Sequence, residues 1–162
     1  MPEILFAWQQ ELMERLTASV PDPISCWYVA PKSGLGKTWM THHLGDAHGA
    51  LNTYPLDAWP LAKTVQAVRH YVEDGCSCGC AGYHRFALPG DVKPAGDARK
   101  TVVFDMHAGR MLALRLQRVV PFLAGCHVVV LADRPPDKAT LALREWEIVP
   151  VEGLLSNGPI YQ

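Results

Sequence analysis

"YVAPKSGLGKTW", residues 28–39, carries an apolar run into a glycine-bearing turn that ends in Gly36, Lys37 and Thr38. Run and turn together are how a phosphate-binding loop is built. Glycines let successive backbone N–H groups converge on phosphate oxygens, and the helix that follows adds the partial positive charge of its N-terminus. In that reading Ser33, Gly34, Leu35 and Gly36 supply the amides, Lys37 reaches the β- and γ-phosphates of a nucleotide such as ATP, and the Thr38 hydroxyl binds Mg²⁺. Pro31 stands where the usual G-x-x-x-x-G-K-[ST] pattern has its first glycine. Taken alone, a Gly-Lys-Thr before a helix is also no more than a turn and a helix start.

The flanking sequence supplies a fold in which such a loop belongs. "ISCWYVA" (24–30) reads as the strand feeding the turn, and "KTWMTHHLGDAH" (37–48) as the helix leaving it, with Met40, Leu44 and Ala47 on one face. "TVVFD" (101–105) and "HVVVLAD" (127–133) are short, continuous apolar runs that each end in an acid, and they flank a helical segment, "AGRMLALRLQRVV" (108–120). Unalternated apolar strands separated by helices imply an α/β fold, a doubly wound and mainly parallel sheet covered on both faces. "WEIVPV" (146–151) adds a last strand. Leu5, Trp8, Leu12 and Leu16 recur at steps of three and four, predicting an amphipathic helix over residues 3–18 that "VPDP" closes. "PLAKTVQAVRHYVEDG" (60–75) predicts another, with Pro60 near its start and Gly75 past its end.

The acids at the strand ends sharpen the reading of the loop. A phosphate-loop enzyme needs a carboxylate at the end of a neighbouring buried strand to hold magnesium through water, and Asp105 ends such a strand. An aspartate there can equally cap the next helix. Asp133 ends the third apolar strand, where phosphate-loop motors carry a polar group that senses the γ-phosphate. Strand with loop and lysine, strand with acid, and strand with polar group, in that order, are far more specific than any one of them.

A chain of 162 residues with 49% hydrophobic composition suits one domain over residues 1–162, interrupted at about 75–100 by an excursion rich in Gly, Pro, Cys and charge. No run approaches the roughly 18 apolar residues of a membrane span. "MPEILFAWQQELMERL" lacks the basic-then-apolar order of a signal peptide, so an intracellular protein with no membrane contact is expected. A net charge of −1 gives no basic field, so any nucleic-acid contact must come from a local patch or a ring of subunits. Five cysteines do not form a secreted disulfide framework. Cys76, Cys78 and Cys80 alternate with Ser and Gly, which in an extended segment puts three thiols on one side, and His84 follows. Together they make a tetrahedral Zn²⁺ set; surface thiols and a redox pair are the other readings of this tight spacing. Cys26 and Cys126, beside core strands, read as ordinary buried thiols.

These segments resemble the superfamily 3 helicase domain of replication initiator (Rep) proteins from circular single-stranded DNA viruses and related plasmids. "AWQQEL" (7–12) is similar to that family's Trp-Gln helix, and "WYVAPKSGLGKTW" (27–39) to its phosphate loop, where another residue can replace the first glycine. "VVFDM" (102–106) resembles its second motif, "HVVVLADRPPD" (127–137) its third, and "REWEIVPV" (144–151) its closing Arg-Trp strand. The likeness covers most of residues 7–150. It implies an AAA-plus-like P-loop ATPase core that uses ATP and Mg²⁺ and assembles as a homo-oligomer, commonly a hexameric ring, on single-stranded DNA. It would work in a host nucleus for a eukaryotic virus and in the cytoplasm for a bacterial replicon. It also implies an arginine that reaches the neighbouring subunit's γ-phosphate, for which Arg134 and Arg144 are the candidates, with surface solvation or a local ion pair as the plain alternative.

The chain departs from the family at several points. Asp133 stands where the family has asparagine, replacing an amide that can donate with an anion that only accepts. Met106 occupies the place of a second acid after Asp105, and residues 106–126 are too few to hold the family's DNA-gripping β-hairpin. Neither a His-hydrophobe-His metal pair nor a Tyr-x-x-Lys nucleophile is present, so a nickase is not part of this sequence. The basic residues nearest the missing hairpin are Arg110, Arg115 and Arg118. Arg115 and Arg118 lie a helical turn apart and are expected to share a face that six subunits would build into a positive band for DNA, or else to be a solvated helix face. A second expectation is therefore a nucleotide-binding scaffold that has lost unwinding.

Overall fold

The structure, a computed structural model, describes residues 4–18, 22–30, 36–52, 61–74, 99–106, 112–151 and 159–161. In chain order these form β1 (Ile4–Phe6), α1 (Ala7–Thr17), β2 (Ser25–Val29), α2 (Lys37–His48), β3 (Leu51–Asn52), α3 (Leu61–Asp74), β4 (Thr101–Met106), α4 (Leu112–Val119), a 3₁₀ turn (Val120–Phe122), β5 (His127–Ala132), α5 (Lys138–Leu141), β6 (Glu147–Pro150) and β7 (Pro159–Tyr161).

Alternating side chains along three buried strands divide the core in two. Trp27 and Val29 on β2, Val102 and Phe104 on β4, and Val128, Val130 and Ala132 on β5 share one layer with Val68 and Tyr71 of α3 and Leu116 and Val119 of α4. Cys26 and Tyr28, Val103, and Val129 and Leu131 face the opposite layer, with Trp8, Leu12 and Leu16 of α1 and Met40 and Leu44 of α2. A strand apolar at every position can be stable only when both its faces are covered, and β5 is buried along its whole length. The result is a five-stranded parallel sheet in the order β3-β4-β5-β2-β6 between two helical layers. The mixed α/β class, the parallel sheet and the two covered faces agree with the sequence analysis.

Polar groups inside this core are matched. The Tyr71 hydroxyl donates to the Gly49 carbonyl at 3.0 Å and accepts from the Thr101 N–H at 3.1 Å, linking α3, the end of α2 and the start of β4. Burial pushes its pKa up to about 12. The His127 Nδ1 accepts from the Ile24 N–H at 2.8 Å. Cys26 and Cys126 are buried free thiols, as expected.

The N-terminal helix begins later than its apolar spacing predicts. Residues 4–6 are instead strand β1, paired antiparallel with β7, so Leu5 lies opposite Ile160 in a two-stranded ribbon. Neither β7, β3 nor α5 is foreseeable from periodicity: two- to four-residue elements carry too few positions to show a period. Most of the cysteine-bearing excursion, residues 75–98, lies outside the described residues, and with it Cys76, Cys78, Cys80 and His84.

Candidate functional site: the crevice at the end of β2

In an open parallel sheet, ligands sit at the carboxyl ends of the strands, where the connections from neighbouring strands leave toward opposite faces. The sheet has such a point between β2 and β5. The chain leaving β2 enters α2, whose Met40 and Leu44 pack on one face. The chain leaving β5 runs through α5 to Leu143 and Trp146, which pack on the other face, as does α4 after β4. Such a switch point, where a crevice is expected, therefore lies at the ends of β2 and β5, and the segment that follows β2 in sequence is the predicted phosphate loop.

Pro31, Ser33, Gly34 and Leu35 lie outside the described residues, whereas the end of the loop is described closely. Gly36 is the N-cap of α2 at φ 84°, ψ 17°, in the left-handed region. A side chain there would be strained, and a Cβ would meet the Gln9 amide nitrogen at 2.3 Å. Gln9, at 1% exposure, explains the close approach: its Nε2 donates to the Gly36 carbonyl at 3.0 Å, and its Oε1 accepts from the Phe6 N–H at 2.8 Å. A signal for Gln9 was present in the sequence. It falls on the Trp8–Leu12–Leu16 face of α1, and a glutamine inside an apolar stripe must find partners.

Lys37, the first residue of α2, is buried at 8% exposure, and its Nζ donates to the Ala30 carbonyl at 2.9 Å. The lysine thus reaches back to the residue that follows β2. Thr41 Oγ1 donates to the Lys37 carbonyl at 2.9 Å and fixes the first turn of the helix. Thr38 is the second residue of α2 and Asp105 the fifth of β4; both are described by their backbone alone.

Strand register brings the acid-bearing ends level. Asp105 pairs with Leu131 on β5, and Leu131 with Tyr28 on β2. The Ala30 N–H donates to the Ala132 carbonyl at 2.8 Å, which carries the pairing one step beyond the strands. Asp133 follows immediately and is half-exposed, with its Oδ1 3.9 Å from Arg134 Nε. At about 4.8 Å between neighbouring strands, β4 lies roughly 10 Å from β2, with β5 and Asp133 between them. Two indoles hold the segment that follows. Trp27 Nε1 donates to the Arg134 carbonyl at 2.8 Å, Trp146 Nε1 to the Thr140 carbonyl at 3.0 Å, and the two rings meet edge to face at 5.4 Å. Asp137 caps α5 by accepting from the Thr140 N–H at 2.8 Å.

Two of the predicted arginines do other work. Arg144 donates to Ser25 Oγ at 2.5 Å, to the Leu123 carbonyl at 2.9 Å and to the Cys126 carbonyl at 2.9 Å. Ser25 begins β2 and Cys126 precedes β5, so Arg144 clamps the opposite end of the sheet from the loop. Its donors are committed within its own subunit, and it is withdrawn as an arginine finger. Arg115 is buried at 3% exposure, with its Nη1 donating to Thr64 Oγ1 at 2.6 Å, so it joins α4 to α3 and is withdrawn as a DNA contact. Three positions along a helix turn a side chain by about 60° from its neighbour, enough here to separate the buried Arg115 from the exposed Arg118. Arg110 lies outside the described residues. Arg134, at 81% side-chain exposure, projects from the crevice end of the sheet.

An open groove of about 490 Å³ lined by Pro23, Ser25, Val120 and Arg144 sits at the far end of the strands, away from the crevice. Among the described residues no cluster of His, Cys, Asp and Glu is arranged to hold a metal ion, and no helix is long and apolar enough to cross a membrane. No protein-family model, curated protein or solved structure matches the chain.

Proposed function

We propose that this chain is the ATPase core of a Rep-type superfamily 3 helicase, binding Mg-ATP in the crevice at the end of β2 and working as a homo-oligomer on single-stranded DNA. The observation that carries the reading is the carboxyl edge of the sheet. That edge of the parallel sheet carries Gly36 and Lys37 beyond β2, Asp133 just past β5 and Asp105 on β4. The donor set suits the ligand. Gly36 makes the left-handed turn into α2, and the first amides of α2 are free of helical partners and suit phosphate oxygens. The Thr38 hydroxyl and the Asp105 carboxylate are the hard oxygens that Mg²⁺ prefers, and Mg²⁺ would neutralise charge on the transferring phosphoryl group.

Within this reading each residue has a separate task. Lys37 exchanges the Ala30 carbonyl for the β- and γ-phosphates, trading a neutral acceptor for a charged one. Asp133, between loop and acid, orients the attacking water. Arg134 reaches across a subunit boundary, and Arg118 supplies the basic contribution of α4 to the DNA path. The scaffold alternative, nucleotide binding without unwinding, draws on one observation: the sensing position holds an aspartate whose carboxylate neighbours Arg134 rather than a neutral amide.

The test is the steady-state Mg-ATP hydrolysis rate with and without single-stranded DNA, for the wild type and Lys37→Ala. Hydrolysis stimulated by DNA and abolished in the variant is the expected result. Nucleotide bound without hydrolysis above the variant would remove the motor and leave the scaffold; no nucleotide binding by the folded wild type would remove both.

A further inference from the structure

We infer that Gln9 is a positioning residue for nucleotide, the latch by which the N-terminal helix sets the phosphate loop. The inference rests on the phosphate-loop reading and adds to it a residue outside the loop, 27 positions from Gly36 in sequence. Gln9 is a buried amide used at both ends. Its oxygen accepts from the Phe6 N–H, anchoring it to the junction of β1 and α1, and its nitrogen donates to the Gly36 carbonyl. That carbonyl also accepts from the Met40 N–H at 2.9 Å, the first hydrogen bond of α2, so Gln9 takes the second acceptor position of the same oxygen.

The consequence for phosphate follows from peptide geometry. In a trans peptide the carbonyl and the next N–H point in opposite directions. Holding the Gly36 carbonyl between Gln9 and Met40 therefore aims the Lys37 N–H away from both, off the N-terminal end of α2, where an amide at a helix start meets an anion. Gly36 is left-handed and has no side chain to restrict it, so with the Met40 bond alone the start of α2 is free to fray. Nucleotide binding would then have to order it. Gln9 orders it beforehand, from a helix whose Trp8 packs on Tyr28 of β2 with ring centroids 5.3 Å apart.

A latch of this kind acts on the affinity of properly folded molecules, whereas a merely structural glutamine changes how many molecules are folded. Titration with a fluorescent ATP analogue and Mg²⁺ separates the two, because it yields a dissociation constant and a binding stoichiometry independently. Gln9→Met keeps the size and loses the amide. The expected result is about a tenfold weaker dissociation constant at unchanged stoichiometry, the loss of one hydrogen bond. Gln9→Glu keeps the acceptor for Phe6 and loses the donor to Gly36. Its charge is buried beside the Gly36 carbonyl, where salt screens it little, so it is expected to weaken binding at least as much as Gln9→Met does. A reduced stoichiometry at unchanged affinity, or wild-type binding by both variants while Lys37→Ala fails to bind, overturns the latch and leaves the phosphate-loop reading standing. Failure of the wild type itself to bind overturns both.

Discussion

Gly36 meets two independent demands, a left-handed backbone and a gap filled by the Gln9 amide. Gly36→Ala violates both, so it is expected to lower unfolding free energy by about 1–3 kcal/mol in urea denaturation and to weaken nucleotide binding with it. The two arginines after β5 make the opposite pair. Arg144→Ala strands Ser25 Oγ and the Leu123 and Cys126 carbonyls, and is expected to cost about 2–3 kcal/mol of stability while leaving hydrolysis per folded molecule unchanged. Arg134→Ala removes an exposed side chain and is expected to leave the melting curve unchanged while lowering hydrolysis in the assembled oligomer. Both arginines were candidates only through the resemblance to Rep helicases. Only their partners separate them, and none of those partners is near Arg144 in sequence.

Strands and helices carry the pH dependence. His127, the first residue of β5, is buried, and burial together with the Arg99 and Arg144 charges holds its pKa below the ordinary 6.5. Its Nδ1 accepts a hydrogen bond from the Ile24 N–H and so must stay unprotonated. As pH falls below 6.5 the unfolded chain binds a proton that the folded chain refuses, so stability is full above that value and declines beneath it. Thermal melts across this range should show the decline in the wild type and a shallower one in His127→Gln. The strands and their parallel sheet were readable because β4 and β5 are unbroken apolar runs, and the helix faces because α1 and α2 are long enough to show a period. Spacing alone could not resolve α4. Arg115 and Arg118 look equivalent on a helical turn, yet packing against Thr64 of α3 buries the first and leaves the second in solvent.

For the molecule as a whole, a net charge of −1 gives no basic field, so under the proposed function DNA affinity would have to be local and multiplied by assembly. Arg118→Ala is expected to weaken single-stranded DNA binding and to flatten its salt dependence, the slope falling by about 0.7 for each phosphate that is no longer neutralised. Arg115→Met, which unties α4 from α3, lowers stability first. Nucleotide should stabilise the whole fold by mass action, about 2.7 kcal/mol at a hundredfold excess over the dissociation constant. Differential scanning calorimetry should find that gain in the wild type and not in Lys37→Ala.

Local chemistry was written in the chain: a turn that only glycine can make at Gly36, strands whose unbroken apolar runs require two covered faces, and helices long enough to show a stripe. These depend on neighbours a few positions away, and periodicity reports such neighbours. The meeting of the acid-bearing strand ends, the pairing of Gln9 with Gly36, the return of Lys37 to Ala30, the burial of Arg115 and the clamp made by Arg144 depend on segments far apart in sequence. The partner of a buried polar group is fixed by which element lies above it, and that follows from the packing of the layers around the sheet.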